Sequence, residues 1–319
     1  MPIFKIFGMG RQGCGRISHC YCALFVARRW PWSAFHAACD TGSDVRGSRA
    51  RRCGEFVARM IDNQVMSLRP ETREILRRVK ELTGTPVEVV RDAAQTQLAR
   101  IARARGAAPA HILSVNPGLG APDYLIVYQC GFILRLYETP PDERRDFAGT
   151  AQGHADVGRL VKCAGQTAQL PDAVRAQFAQ QILDGLLTQL RSYPIGMRID
   201  GWIHREFPNL DALQRESVVR QQKDNLAVLQ PELKAMAPKP VFDANVSMNA
   251  AYAIFCDRQF GKAGYAVPYR SAGYEKRGRA LLGLMESIPD EPRSDRTLVD
   301  AWADELGLSG WYEWIALQP

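Results

Sequence analysis

The sequence predicts an α+β fold that is predominantly helical, and three observations carry the prediction. From about residue 171 onward, apolar side chains recur at three- and four-residue spacing in segment after segment, the period of an amphipathic helix. Strand-like runs are short and few, at 86–90 and 111–115. Both precede an apolar stretch, 124–136, too continuous to be a surface helix. The chain divides into three regions: 1–65, a non-native or disordered N-terminal extension; 66–150, a small α+β core; and 151–319, a helical region packed on it.

The first region differs from the rest in charge and composition. Residues 1–65 hold ten Lys/Arg and four Asp/Glu, whereas the remaining 254 hold 31 and 30. The pI near 9.0 therefore belongs to the N-terminal fifth, and the near-neutral body argues against nucleic-acid binding by residues 66–319. Five of the eight cysteines (Cys14, Cys20, Cys22, Cys39, Cys53) also lie there. The segment 28–32 (Arg-Arg-Trp-Pro-Trp) fits no helix or strand pattern. One reading is an upstream stretch preceding a natural start at Met66 or Met60. Another is a basic arm that binds nucleic acid. A metal site from His19, Cys20 and Cys22 is disfavoured, because C-x-C lacks the geometry of C-x2-C and no second pair follows. No apolar core and cleavage site follow Lys5 and Arg11, so no signal peptide is expected and cytoplasmic residence is the default. The longest apolar run, 124–134, contains Gln129 and falls short of the roughly 20 residues that cross a bilayer.

The body opens with an amphipathic helix. Ser67 is its expected N-cap, Pro70 and Glu71 suit the first turn, and Leu68, Ile75, Leu76, Val79 and Leu82 share a face up to Thr83-Gly84. Residues 86–90 form a short strand. Residues 92–105 have two readings: an Ala-rich helix capped by Asp92, or an edge strand over 99–105 pairing across 106–110 with the strand 111–115. After the Asn116-Pro117-Gly118 turn comes a central helix, 121–138, whose Gln129 and Arg135 need partners. A Gly/Ala/Gln-rich linker is expected at 150–165. Val174, Phe178, Ile182, Leu186 and Leu190 then form a core stripe, interrupted by Pro194. A second helix runs through Met197, Ile199 and Trp202, and a long polar helix spans 210–236. Ala-rich 245–260, then 278–285, and a last helix holding Leu298, Val299, Trp302 and Leu306 complete the set. The tail Gly310-Trp-Tyr-Glu-Trp-Ile315 is too apolar to float free and is expected to dock on the body.

The order helix, strand, edge element, strand, Asn-Pro turn, apolar helix resembles that of the ImmA/IrrE-like zinc metallopeptidases, over about residues 66–138. In that family the apolar helix carries His-Glu-x-x-His, two imidazoles gripping zinc beside a Glu that activates its water. Here the same stretch reads Tyr128-Gln129-Cys130-Gly131-Phe132. Tyr128 and Phe132 take the two ligand positions and Gln129 the general-base position. The resemblance thus implies a zincin-like core without zincin chemistry, no catalytic residues, no metal and no cofactor. It also implies a bacterial, regulatory setting. Cys130, in an apolar helix with no base assigned to it, is expected to be inert. The other two body cysteines, Cys163 and Cys256, are expected to be reduced and buried.

Two other constellations carry polar chemistry. Residues 267–279 are polar and Gly-punctuated, and Tyr269, Arg270, Tyr274 and Arg277 there are candidates for holding a small anion. They also define the alternative of an enzyme of unknown reaction with its site at 265–279. Asp200, His204 and Glu206 surround Trp202, and Asp200 with His204 at i,i+4 reads as a surface ion pair. The expected activity is that of a pseudoenzyme or scaffold whose partner is a protein or a small anionic ligand.

Overall fold

A computed structural model describes residues 68–92, 97–116, 118, 122–165, 167–261 and 263–317. The expectations for 1–65 and for Ser67 lie outside these residues. Helix α1 (Pro70–Thr83) begins at a proline that needs no hydrogen-bonded N–H there, and it ends at Gly84, whose φ of 73° is left-handed. Its N-terminus is capped from a distance: Asp123 Oδ1 accepts the Arg69 N–H at 2.8 Å and the Thr72 hydroxyl at 2.7 Å. Ile75 and Val79 are buried, but Leu82 is exposed, one step round the helix from the predicted face.

Strands β1 (Val87–Arg91), β2 (Ala99–Ala102) and β3 (His111–Val115) form one sheet in the order β1-β3-β2. β1 runs parallel to β3, with Val87 opposite His111. β2 runs antiparallel to it, with Ala99 opposite Val115. The ambiguous element is therefore an edge strand over 99–102: the open side of β3 outweighs the helix propensity of an Ala-rich run. Along β3 the burial alternates, with His111, Leu113 and Val115 inward. His111 accepts the Ala104 N–H at Nδ1 (2.9 Å) and sets Nε2 3.2 Å from the Thr83 hydroxyl. It ties the β2–β3 connection to the end of α1. Burial, then Arg103, lower its pKa, which keeps it neutral.

Helix α2 (Asp123–Glu138) lies between this sheet and the helical region, and its inner residues from Tyr124 to Leu134 are buried. Strand β4 (Arg145–Gly149) follows, then helix α3 (Ala151–Cys163). The expected linker is thus a helix. Thr150 caps it by accepting the Gly153 N–H at 3.0 Å, and Val157 and Val161 bury its inner face. The terminal segment docks as expected, as strand β5 (Tyr312–Ala316) antiparallel to β4, with Phe147 stacked on Tyr312 at 4.5 Å.

The helical region is organised by α4 (Asp172–Glu206), 35 residues with Pro194 inside. Pro194 removes one backbone bond without ending the helix, because the buried stripes on either side continue in phase against the same neighbours. Val174, in its projecting first turns, is exposed. The predicted polar helix 210–236 is broken into α5 (Asp211–Leu226), a 3-10 turn and α6 (Pro231–Met236), since Pro231 forces Gln230 to an extended ψ of 136°. Val218 is buried on α5, while Val219 faces solvent. Helix α7 (Lys239–Phe260) is buried along most of its length. The polar, Gly-punctuated stretch 267–279 forms the short α8 (Val267–Ser271) and the start of α9 (Glu275–Ser287). Helix α10 (Asp295–Leu306) ends at left-handed Gly307. One apolar cluster runs through all of this, from Leu68 to Trp311. No described helix is long and apolar enough to cross a membrane.

Candidate functional site

The motif positions on α2 have packing partners. Gln129 donates its amide to the Ala99 carbonyl at 3.3 Å, joining the helix to edge strand β2. Phe132 meets Tyr128 edge-on at 5.4 Å, and Tyr128 lies 5.8 Å from Tyr124. Two glycines bring α2 and α4 together. A Cβ on Gly131 would fall 2.7 Å from Ile199 Cγ2, and one on Gly196 would strike the Tyr128 hydroxyl. Cys130 is fully buried, and burial pushes its thiol up to about 12, so it is not a nucleophile at neutral pH. Cys256 is buried too, but Cys163 is exposed, contrary to expectation, because it ends α3 on the solvent side.

The four candidates at 269–277 are turned toward this chain's own groups. Tyr269 is buried, with no hydrogen-bond partner for its hydroxyl. Arg270 pairs with Glu275 at 2.7 Å, as does Arg279. Tyr274 donates to Asp243 at 2.6 Å, and Arg277 lies 3.7 Å from the same carboxylate. The donors of Arg270, Tyr274 and Arg277 are thus engaged by two acidic residues, Glu275 and Asp243.

The strongest polar constellation lies instead where α2, α4, α5 and α7 meet. At its centre is Asp200, 0% exposed. The predicted Asp200–His204 pair does not form. Asp200 continues the buried stripe inward, whereas His204 turns to Asp211 at 3.1 Å and packs edge-on against Phe260. The Tyr124 hydroxyl donates to Asp200 Oδ1 at 2.7 Å, the Gln214 amide to the same oxygen at 3.0 Å, and Tyr252 to Oδ2 at 3.3 Å. The Gln214 and Gln259 amides also donate to the Asp200 carbonyl. Tyr193 stands 5.4 Å from Tyr252, its hydroxyl 3.1 Å from both Asn225 and Asn249. Gln222 reaches the Cys256 sulfur at 3.4 Å.

The electrostatics of this junction follow from burial. Desolvation raises Asp200 to about 6 against the pull of its three hydrogen bonds, and none of its perturbing groups is a cation. Burial, then the Asp200 charge, holds Tyr124, Tyr128 and Tyr252 well above their ordinary value; burial alone leads for Tyr193, at about 12. Three buried atoms here lack hydrogen-bond partners: Gln214 Oε1, Gln222 Oε1 and Asn225 Nδ2. One turn further along α4, a shallow groove of about 350 Å³ is lined by Gly201, His204, Phe255, Gln259 and Met285, among others.

A second ionic cluster on α4 is compensated. Arg135 forms two 2.7 Å bonds to Asp295 and lies 3.0 Å from Asp290, while Arg198 adds a 3.0 Å bond to Asp295 and donates to the Ile288 carbonyl. Among the described residues no three His, Cys, Asp or Glu side chains gather as metal ligands would.

A signal for the Asp200 junction was present in the sequence. The stripe Ile182, Leu186, Leu190 continues through Tyr193, Met197 and Asp200 at the same helical spacing, which places the carboxylate on the core face. Fold and site together define a mainly helical α+β protein with a buried polar junction between four helices. Against protein-family models, curated proteins and solved structures, the chain gives no match.

Proposed function

We propose that the chain is a non-catalytic, zincin-like pseudo-peptidase: a scaffold or regulatory protein of the bacterial cytoplasm that acts through protein or ligand binding. The observation that carries this reading is the use made of the three motif positions. Gln129 fastens β2, Tyr128 fills the gap over Gly196, and Phe132 packs on Tyr128. Neither aromatic side chain offers a metal a soft or basic donor, and an amide cannot take a proton from water at neutral pH. The helix that would present a zinc site therefore joins the sheet to the bundle.

Elemental analysis of the full-length protein purified without chelator, alongside a peptide-hydrolysis assay, tests the proposal. Zinc at well below one per chain and no hydrolysis are the expected results. Stoichiometric zinc, or hydrolysis lost on Gln129→Ala, would overturn it.

A further inference from the structure

We propose that the junction around Asp200 is a binding site for a small organic cation carrying N–H donors, a primary ammonium or guanidinium group. This deepens the ligand-binding reading above and rests on it.

Asp200 is fully buried, and among the described residues it has only neutral hydrogen-bond partners. Buried charges are ordinarily paired, and α4 itself pairs Arg198 with Asp295 two residues before Asp200. Oδ1 is well served, by Tyr124 and Gln214. Oδ2 receives one long bond from Tyr252, whose proton has a second acceptor, Gln221 Oε1, at the same 3.3 Å. The surrounding imbalance has the same sign. Gln214 Oε1 and Gln222 Oε1 are unpartnered acceptors on side chains 0% and 2% exposed, against one unpartnered donor, Asn225 Nδ2. An ammonium has three donors and no acceptor, and a guanidinium five. Either supplies the charged donor that Oδ2 lacks. Aromatic rings, which attract cations, also stand at the junction: Tyr128, and Tyr193 with Tyr252 at 5.4 Å from one another. Tyr128, Tyr193, Gln221 and Asn225 are half-buried and form the solvent-facing rim of the junction. Sites of this kind, built from side chains on facing helices, are common in bundles.

The ionisable groups facing Asp200 are Tyr124 and Tyr128 from α2 and Tyr252 and Cys256 from α7; α5 contributes only amides. Burial raises all four above their ordinary values, so Asp200 alone changes charge near neutrality. Binding should therefore tighten as pH rises through about 6.

The test is thermal unfolding and isothermal titration of the full-length protein with methylammonium and with guanidinium chloride, against sodium and potassium chloride at equal ionic strength. The expected result is a saturable rise in Tm with at least one organic cation at pH 8. Its affinity should fall roughly tenfold per pH unit below 6 and at least tenfold in Asp200→Asn. Gln221→Leu, at the half-buried rim, should weaken binding severalfold with the fold intact. Equal response to potassium, equal response of Asp200→Asn, or no saturable shift with either organic cation would overturn the proposal. A zinc-free protein that binds no amine would sink this inference and leave the pseudo-peptidase reading standing.

Discussion

Replacing Asp200 by Asn should make this protein more stable at neutral and alkaline pH, against the usual cost of altering a buried polar residue. The folded-state pKa of Asp200 is about 6, raised from an ordinary 3.8 by burial. Between these values the folded protein binds more protons than the unfolded chain, so stability is full below 3.8 and is lost as pH rises through about 6. At ~1.4 kcal/mol per pKa unit, the ionised carboxylate costs about 3 kcal/mol at pH 8. Asn should keep the hydrogen bonds. Its oxygen can take the place of Oδ1 beneath Tyr124 and Gln214, and its N–H2 the place of Oδ2, while Tyr252 turns its proton to Gln221 Oε1, already 3.3 Å away. The assay is urea unfolding of both proteins from pH 4 to pH 8.5, read as the difference between them so that all other titrations cancel. The variant should match or fall below wild type near pH 4 and exceed it by about 1–3 kcal/mol at pH 8, on the order of 3–10 °C in Tm. Parallel profiles across the range would refute the reasoning, because they would mean that Asp200 titrates in the fold as it does in the unfolded chain.

Other outcomes follow from the same structure. Asp295→Asn leaves Arg135 and Arg198 without their shared carboxylate and should cost about 3–5 kcal/mol by chemical denaturation. Gly153→Ala sets a Cβ 2.6 Å from the Trp311 carbonyl, a backbone atom that cannot rotate away, and should lower stability by about 1–3 kcal/mol. Hydrogen exchange should then rise first in β4 and β5, which pair beside that contact. Under native conditions a thiol reagent followed by peptide mapping should label Cys163 quickly and spare Cys130 and Cys256. Fast labelling of Cys130 would contradict its place inside α2.

Much of the fold was legible because it rests on period and punctuation. Gly84 and Gly307 stop α1 and α10 where the sequence puts them, and both adopt the left-handed φ that favours glycine. Where the sequence misled, tertiary contact decided. Ala99-Arg100-Ile101-Ala102 has the composition of a helix and becomes a strand because β3 has an open antiparallel edge. Pro194 looks like a helix end, but the stripe from Ile182 to Ile203 remains in register on both sides of it. Residues 150–165 have the composition of a linker, yet Gly153 is there for its close approach to the Trp311 backbone. The Asp200 junction was hidden for a different reason. Its members come from four helices spread over residues 124–259, and the stripe that turns Asp200 inward does not say which distant side chains it meets.

The two buried ionic sites of α4 show how differently one helix can treat charge. Arg198 and Asp200 are two residues apart, both nearly or fully out of contact with solvent. Arg198 shares Asp295 with Arg135, and Asp290 supports the pair at the solvent edge. Desolvation there is offset by opposite charge, and the cluster pins α2, α4 and the start of α10 together. Two residues on, Asp200 receives only hydroxyl and amide hydrogens and is left with a pKa near neutrality. A structural role alone is better served by Asn or by a third arginine, since an ionised, uncompensated carboxylate weakens the fold. The carboxylate is therefore informative by its cost. Its three tyrosine neighbours and its under-served Oδ2 leave room for an added positive charge, and the helix that elsewhere supplies Arg198 supplies none here.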